Sequence, residues 1–137
     1  MSVPIASRPL MVLRLETSAT QNIGSTPQGP LTIFPVTGGA FEGERVRGKV
    51  LPGGGDWVTA RGDGTIALDL RVTLATDDDG LIHLTLSGVR DDANHYFRTV
   101  ARFETAVPKY AFLNQLLAIG IGEIHPAGPV HRIEEIL

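Results

Sequence analysis

The sequence contains no cysteine, which excludes a disulfide framework, a thiol nucleophile and a thiolate metal ligand. It also lacks any apolar run near the roughly 20 residues that a membrane-spanning helix needs. Its N-terminus, MSVPIASRPL, has neither the basic start nor the continuous apolar segment of a secretory signal. The formal net charge is −3, whereas surfaces that bind phosphate are usually basic. We therefore expect a cytoplasmic protein without a membrane or nucleic-acid partner.

The residues that are present suffice for one domain with its own core. Of the 137 residues, 42% are hydrophobic, and a chain of this length buries roughly two thirds of its unfolded surface. Such a core needs neither disulfide nor metal. We expect a single domain over residues 1–137, with residues 1–9 forming a loose N-terminal arm.

Alternation of apolar and polar side chains predicts that the chain is all-β. The clearest case is TIALDLRVTLAT at 65–76, where Ile66, Leu68 and Leu70 share one face. The Asp63-Gly64 pair before it is typical of a two-residue hairpin turn. Further strands are predicted at 11–17, 31–36, 41–51, 57–60, 81–90, 95–106, 116–124 and 130–136.

The connecting segments complete the predicted fold. Residues 18–30, rich in Ser, Thr, Gly, Asn and Pro, predict a long loop, and Gly38-Gly39 predicts a turn. Pro108 suits a first helical position, so one short helical turn is predicted near 108–114. About nine antiparallel strands leave unpaired edges unless the sheet closes on itself, so a single antiparallel β-barrel is predicted.

The strands have two dissimilar faces, and two interpretations of them stay open. In the first, the apolar face fills the barrel and the polar face meets solvent, as is usual for antiparallel sheets. In the second, the polar face lines a ligand cavity and the apolar face meets a surrounding layer or subunit. The polar set consists of Asp69, Arg71, His83, Arg98 and Glu104.

The stretch at 38–57, GGAFEGERVRGKVLPGGGDW, carries the densest group of candidate site residues. Its triple glycine is followed by Asp56-Trp57 and a strand rather than by a helix with Lys-Ser/Thr, so a phosphate loop is not predicted. Asp56 and Trp57 could offer a carboxylate and a stacking surface to a ligand, or they could cap the turn and join the core. The four histidines have no close metal-ligand spacing, and we predict neither a metal site nor a cofactor.

Taken in order, the motifs resemble one family. They are P-V-T-G-G-x-F-E-G-x-R-x-R-G-x-V-L-P-G-G-G-D-W, D-G-T-x-x-L-D-x-R-V-T-L-x-T-D-D, Y-F-R-T-x-x-R-F-E-T, and Y-x-F-L-N with G-x-G-E. This series is similar to the family of domain of unknown function 3237, also called uncharacterised protein family 0311. The resemblance implies a closed barrel of calycin- or avidin-like character without a firmly shared activity, and it favours the lined cavity. The motif positions are Glu42, Arg45, Arg47, Asp56, Trp57, Asp69, Arg71, Tyr96, Arg98, Glu104, Tyr110 and Asn114.

Our first hypothesis is a small-molecule-binding barrel whose polar, arginine- and carboxylate-lined cavity holds an acidic or hydroxylated, partly aromatic metabolite. Such a site orients its ligand with a few convergent polar groups. The expected binding groups are Arg71 and Arg98 for the anion, Trp57, Tyr96 and Tyr110 for the rings, and Asn114 for orientation.

The alternatives belong to other classes of protein. A cofactor-free isomerase, lyase or cyclase would use Asp56 or Glu104 as its base. A structural barrel would act through its surface as a homo-oligomer, which the surplus of apolar faces favours. A cavity carboxylate with a pKa raised by burial would favour the enzyme, whereas carboxylates paired with arginine would favour binding.

Overall fold

The computed structural model describes residues 2–137, which form ten strands of one antiparallel sheet and two short 3₁₀ segments. One 3₁₀ segment, Asp92–Asn94, is a turn, and the other, Pro108–Gln115, is here called the end helix. The strands are β1 (Ser7–Thr17), β2 (Gln21–Thr26), β3 (Gly29–Glu42), β4 (Arg47–Val50), β5 (Gly55–Ala60), β6 (Ile66–Thr76), β7 (Leu81–Asp91), β8 (Tyr96–Glu104), β9 (Ala118–His125) and β10 (Gly128–Ile136).

The sheet closes into a barrel of eight positions. Neighbouring strands follow the order β1-β10-β9-β8-β7-β6-β4-β3, and β3 pairs back with β1 from Val12↔Glu42 to Thr17↔Val36. Strand β5 also lies between β3 and β6, so β4 and β5 share one position around the ring. The predicted antiparallel barrel and the helical turn near 108–114 are therefore confirmed.

Four local predictions differ from the structure. Residues 7–9, predicted to belong to a loose N-terminal arm, begin β1 and pair with β10. The predicted loop at 18–30 contains β2, which pairs with the first half of β3. Gly38-Gly39 is not a turn but part of β3; Gly39 has a φ of +140°, and a side chain there would collide with the Arg14 carbonyl. The predicted strand at 41–51 is interrupted, because the chain turns at 43–46 and β4 begins at Arg47.

The apolar faces of the strands point into the barrel and fill it. Leu70, Leu74, Leu84 and Leu86 are completely buried and form the centre of the core. Each such side chain contributes about 1.5–3 kcal/mol through burial, so this orientation is strongly favoured over its opposite. The polar faces of the same strands therefore lie outside, which corrects the interpretation in which they line the lumen.

One end of the barrel is closed by the end helix, which buries Tyr110 and Leu113 against the core. The Asn114 side chain accepts a hydrogen bond from the Thr105 backbone N–H at 2.8 Å and donates one to its carbonyl at 2.9 Å. This amide fixes the helix to the chain that leaves β8. The opposite end has no such cover among the described residues, and a cavity opens there.

Candidate functional site

The cavity at the open end, here called the end cavity, has a volume of about 290 Å³. Its walls are mainly apolar and come from Phe34 of β3, Val58 of β5, Leu68 of β6 and Phe97 of β8, while residues 124–129 around the β9–β10 turn form the rim. Ligand sites are commonly concave, apolar and supplied with a few polar groups. The polar side chains that line it are Thr17, Asp56, Arg90 and His125.

Asp56 points into the barrel because of its place in β5. Its cross-strand partners are Phe34 of β3 and Leu70 of β6. Successive side chains of a strand face opposite sides, so Trp57 lies on the outer surface and is 40% exposed. The neighbouring Asp and Trp therefore do not face one common space.

The Asp56 carboxyl is held in an environment that disfavours its charged form. Burial, followed by repulsion from the Asp69 carboxylate, raises its pKa to about 6; a backbone hydrogen bond from Asp69 and the charge of Arg90 oppose this rise. Among residues 2–137, no group forms a hydrogen bond with Asp56 Oδ1, although the atom is buried. A buried carboxyl oxygen without a hydrogen-bond partner is rare, because it loses water without gaining a replacement.

Glu135 shows the opposite environment in the same barrel. Its carboxylate accepts hydrogen bonds from Arg8 Nε and, at 2.6 Å, from Arg45 Nη2. The Arg8 hydrogen bond, with Arg45 beside it, lowers the pKa of Glu135. This pair of cations gives Glu135 a structural role, whereas Asp56 Oδ1 has no hydrogen-bond partner among residues 2–137.

Arg90, at the end of β7, brings a positive charge to the end cavity. Its Nε and Nη2 donate to the two carboxylate oxygens of Asp92 at 2.7 and 2.9 Å, and its guanidinium lies 5.9 Å from the centre of the Phe97 ring. The bidentate contact fixes the fork of the arginine. Arg90 was not among the site residues predicted from the sequence, although an arginine at a strand end with an aspartate two residues later was a usable signal.

A second missed group lies beside the cavity wall. His131 of β10 is buried, and its ring meets the Phe97 ring edge-on with centres 5.2 Å apart. Burial lowers the pKa of His131 to about 4, so its imidazole is neutral at physiological pH. The spacing of histidines along the sequence cannot find this arrangement, because it arises from pairing between strands.

The other predicted site residues lie elsewhere in the molecule. Asp69 and Arg71 form an exposed ion pair of 3.5 Å on the outer face. Arg98, also outside, stacks over the exposed Tyr96 ring at 5.0 Å. Glu104 borders a shallow surface depression beside Asn114, so it does not meet Asp56.

The remaining predicted residues lie towards the closed end. The Tyr110 hydroxyl donates to Asp78 at 2.7 Å, while Glu42 and Arg45 border a surface groove along β1. Arg47 is exposed at the start of β4. Of the predicted residues in the part of the chain that the structure describes, Asp56 is the one that lines the end cavity.

Residues 2–137 contain neither a cluster of metal ligands nor a membrane-spanning helix. Nowhere in that range do three or more His, Asp or Glu side chains cluster so as to hold a metal ion. Neither of its helices has the length and apolar character required to cross a membrane.

Comparison with known proteins supports one family. The chain is 32% identical over 130 residues to a UPF0311 protein of Rhodopseudomonas palustris, covering 83% of this chain and 85% of that protein. A β-barrel-like protein from Acinetobacter baumannii superposes with a TM-score of 0.92 at 30% identity, covering 100% and 99% of the two chains. An enzyme from Penicillium herquei has a TM-score of 0.85 at 23% identity, covering 100% and 98%, which shows a common fold. The model of one family, described as proteins of unknown function (DUF3237), matches residues 5–136, and the chain belongs to this family.

Proposed function

We propose that this protein is a cofactor-free acid–base enzyme that moves a proton on a small molecule bound in the end cavity, with Asp56 as the group that accepts and returns the proton. The observation that carries this proposal is the Asp56 carboxyl itself, which lines the cavity with a buried Oδ1 and a pKa raised to about 6. Such environments are concentrated at functional sites.

The raised pKa suits general acid–base catalysis. A group whose pKa lies near the working pH is present in both protonation states. It also has a favourable driving force for proton transfer. An aspartate with its ordinary pKa of 3.8 would be a weaker base at neutral pH. The environment of Asp56 is of the kind that adjusts carboxyl groups for this role.

The lining of the cavity favours one class of substrate. Phe34, Val58 and Phe97 suit an apolar or aromatic body, and a volume of about 290 Å³ suits a molecule at the small end of the range for ligand sites. The fixed guanidinium of Arg90 would stabilise negative charge that develops on a substrate oxygen. Isomerisation, elimination and cyclisation next to a carbonyl or hydroxyl group all create such charge. The acidic or hydroxylated, partly aromatic ligand therefore remains the proposed class.

The Penicillium herquei protein supports the catalytic proposal at the level of the fold. It is described as an enzyme, so the fold they have in common is compatible with catalysis. Its identity of 23% transfers no residue role to this chain.

A ligand-binding barrel without chemistry is the second candidate. It is favoured by the largely apolar lining, since apolar walls bind ligands without requiring a reaction. In that case Asp56 would donate or accept one hydrogen bond to the ligand, and its removal would weaken binding.

The decisive experiment combines binding with proton exchange. Small carbonyl and phenolic metabolites are screened by thermal shift and then incubated with the protein in D₂O, and deuterium incorporation is measured by NMR. In Asp56→Asn the exchange rate should fall by at least about 100-fold, because a general base usually contributes that much. The variant should still bind the ligand.

The control variant is Arg98→Ala, because Arg98 is a charged residue of the outer face that should leave exchange unchanged. Exchange that survives in Asp56→Asn would refute the catalytic role. Binding without any exchange by the wild-type protein would support the second candidate instead.

A further inference from the structure

Two buried polar side chains lie within the barrel close to the end cavity. Thr99 is 2% exposed and His131 is 1% exposed. Within the described range, 2–137, neither Thr99 Oγ1 nor His131 Nδ1 has a hydrogen-bond partner. Polar atoms buried in this way are rare and costly, because they lose water without gaining a replacement. Apolar side chains of similar size would avoid that cost, so the two residues call for a functional explanation.

Phe97 separates these atoms from the end cavity. Its side chain lines the cavity on one side, and its ring touches His131 edge-on, with ring centres 5.2 Å apart. Thr99 follows Phe97 by two residues on the same strand and so faces the same side of the sheet. The ring of Phe97 therefore lies between the open space and the His131 ring, and Thr99 lies deeper on the same face of β8.

Two glycines of β9 provide the room that this arrangement needs. A Cβ at Gly122 would lie 2.6 Å from the Phe97 ring, and a Cβ at Gly120 would collide with Thr99 Oγ1. The inner face of β9 therefore carries no side chain next to Phe97 and Thr99. The Phe97 ring occupies the place that a side chain at Gly122 would fill, so it packs directly against the backbone of β9.

We propose that Phe97 is a gate between the end cavity and a second, deeper subsite formed by His131 and Thr99, which receives a hydroxyl group at the leading end of the ligand. The inference rests on the proposed binding of a small molecule in the end cavity. When Phe97 turns aside, the space of its ring joins the end cavity.

The chemistry of the two side chains selects a hydroxyl group. A hydroxyl can both donate and accept, so it pairs with the Thr99 hydroxyl and with His131 Nδ1 in either tautomer. A carboxylate is disfavoured, since a neutral imidazole and a hydroxyl supply no positive charge to compensate for its desolvation. The pKa of His131, lowered by burial to about 4, keeps the imidazole neutral.

The first test opens the gate permanently with Phe97→Ala and compares phenol with benzene by calorimetry at pH 7. Both probes are uncharged and fit the space of the lost ring, but only phenol offers a hydroxyl. Phenol should bind about two- to tenfold more tightly than benzene, the effect of one net hydrogen bond. The matched control is Phe97→Ala/Thr99→Val/His131→Leu, which removes both polar partners; in it the preference should disappear while the affinity for benzene stays the same. Equal affinities of Phe97→Ala for the two probes would overturn the subsite.

The second test uses the wild-type protein and does not depend on any variant. With ¹⁵N-histidine labelling, phenol should shift the Nδ1 resonance of His131 in a saturable manner, and benzene should leave it in place. A resonance that stays still while phenol saturates the end cavity would show that Phe97 is a fixed wall. That result would overturn the inference but leave the acid–base proposal intact, because the latter is decided by the exchange rate of Asp56→Asn.

Discussion

Replacing Asp56 by Asn should make the protein more stable at neutral and alkaline pH. Burial raises the pKa of the Asp56 carboxyl from 3.8 to about 6, so the folded state holds the proton more tightly than the unfolded state does. The stability that this group contributes is fully present below pH 3.8 and is lost as the pH rises through about 6. Since each tenfold change in proton affinity is worth about 1.4 kcal/mol, the loss amounts to about 3 kcal/mol.

His131 opposes this pH dependence in the wild-type protein. Burial lowers its pKa from 6.5 to about 4, so its contribution is present above pH 6.5 and is lost as the pH falls through about 4. Its magnitude is also about 3 kcal/mol by the same conversion. Between pH 4 and 6 the contributions of Asp56 and His131 largely cancel. Asp56→Asn should therefore reveal a stability that rises with pH across this interval.

Equilibrium urea unfolding at intervals from pH 4 to 8 measures the effect. The free energy of unfolding of Asp56→Asn, relative to the wild type, should grow by about 2.4 kcal/mol between the two limits. Asp77→Asn, at an exposed turn beyond β6, is the matched control and should show no comparable growth. A difference between Asp56→Asn and the wild type that is constant with pH would refute the argument, because the carboxyl would then titrate alike in the folded and unfolded states.

Two further substitutions test the packing and the closed end. Gly122→Ala should reduce the free energy of unfolding by about 1–3 kcal/mol through overpacking against Phe97. Gly62→Ala is the control and should cause no such loss, because no atom lies within 4 Å of its added Cβ. Equal effects of the two substitutions on urea unfolding would contradict the close packing of Phe97. Glu135→Gln should reduce the free energy of unfolding by about 1–2 kcal/mol at pH 7, because it weakens the contacts to Arg8 and Arg45. The pKa of Glu135 is lowered from its ordinary 4.5, so the loss should become smaller below pH 4, where the wild-type carboxylate begins to take up its proton. Glu44→Gln, at an exposed carboxylate, is its control, and a loss independent of pH would exclude the ionic explanation.

The sequence predicted the parts of the fold that depend on local pattern. Strands β6 and β7 follow from strict alternation, and their hairpin follows from the turn residues between them. The turn at 43–46 was missed, although Phe41 and Val46 stand on opposite phases of an alternating strand, and this change of phase marks the interruption. Gly38 and Gly39 carry the composition of a turn, but the close approach of β1 is the reason for Gly39.

The candidate site was predicted only in part, for reasons that lie in the register between strands. An alternating strand has two faces, and sequence alone does not say which one is inside; closure of the ring by β1 and β3 decides it. The inward position of Asp56 relative to Trp57 follows from strand alternation, but the absence of a hydrogen-bond partner for Asp56 Oδ1 among the described residues does not. Likewise, His131 and Phe97 are 34 positions apart in the chain and meet because β8, β9 and β10 are neighbours.

The difference between the two ends of the barrel has a consequence for how this scaffold can change. The end helix, Asn114 and Glu135 secure the closed end, whereas the rim of the end cavity is built largely from a surface turn at residues 125–128. Exposed turns tolerate insertion and substitution far better than buried strands do. New sequences could therefore be placed in the rim of the end cavity to admit molecules of other shapes. The contacts at the closed end would still stabilise the folded barrel.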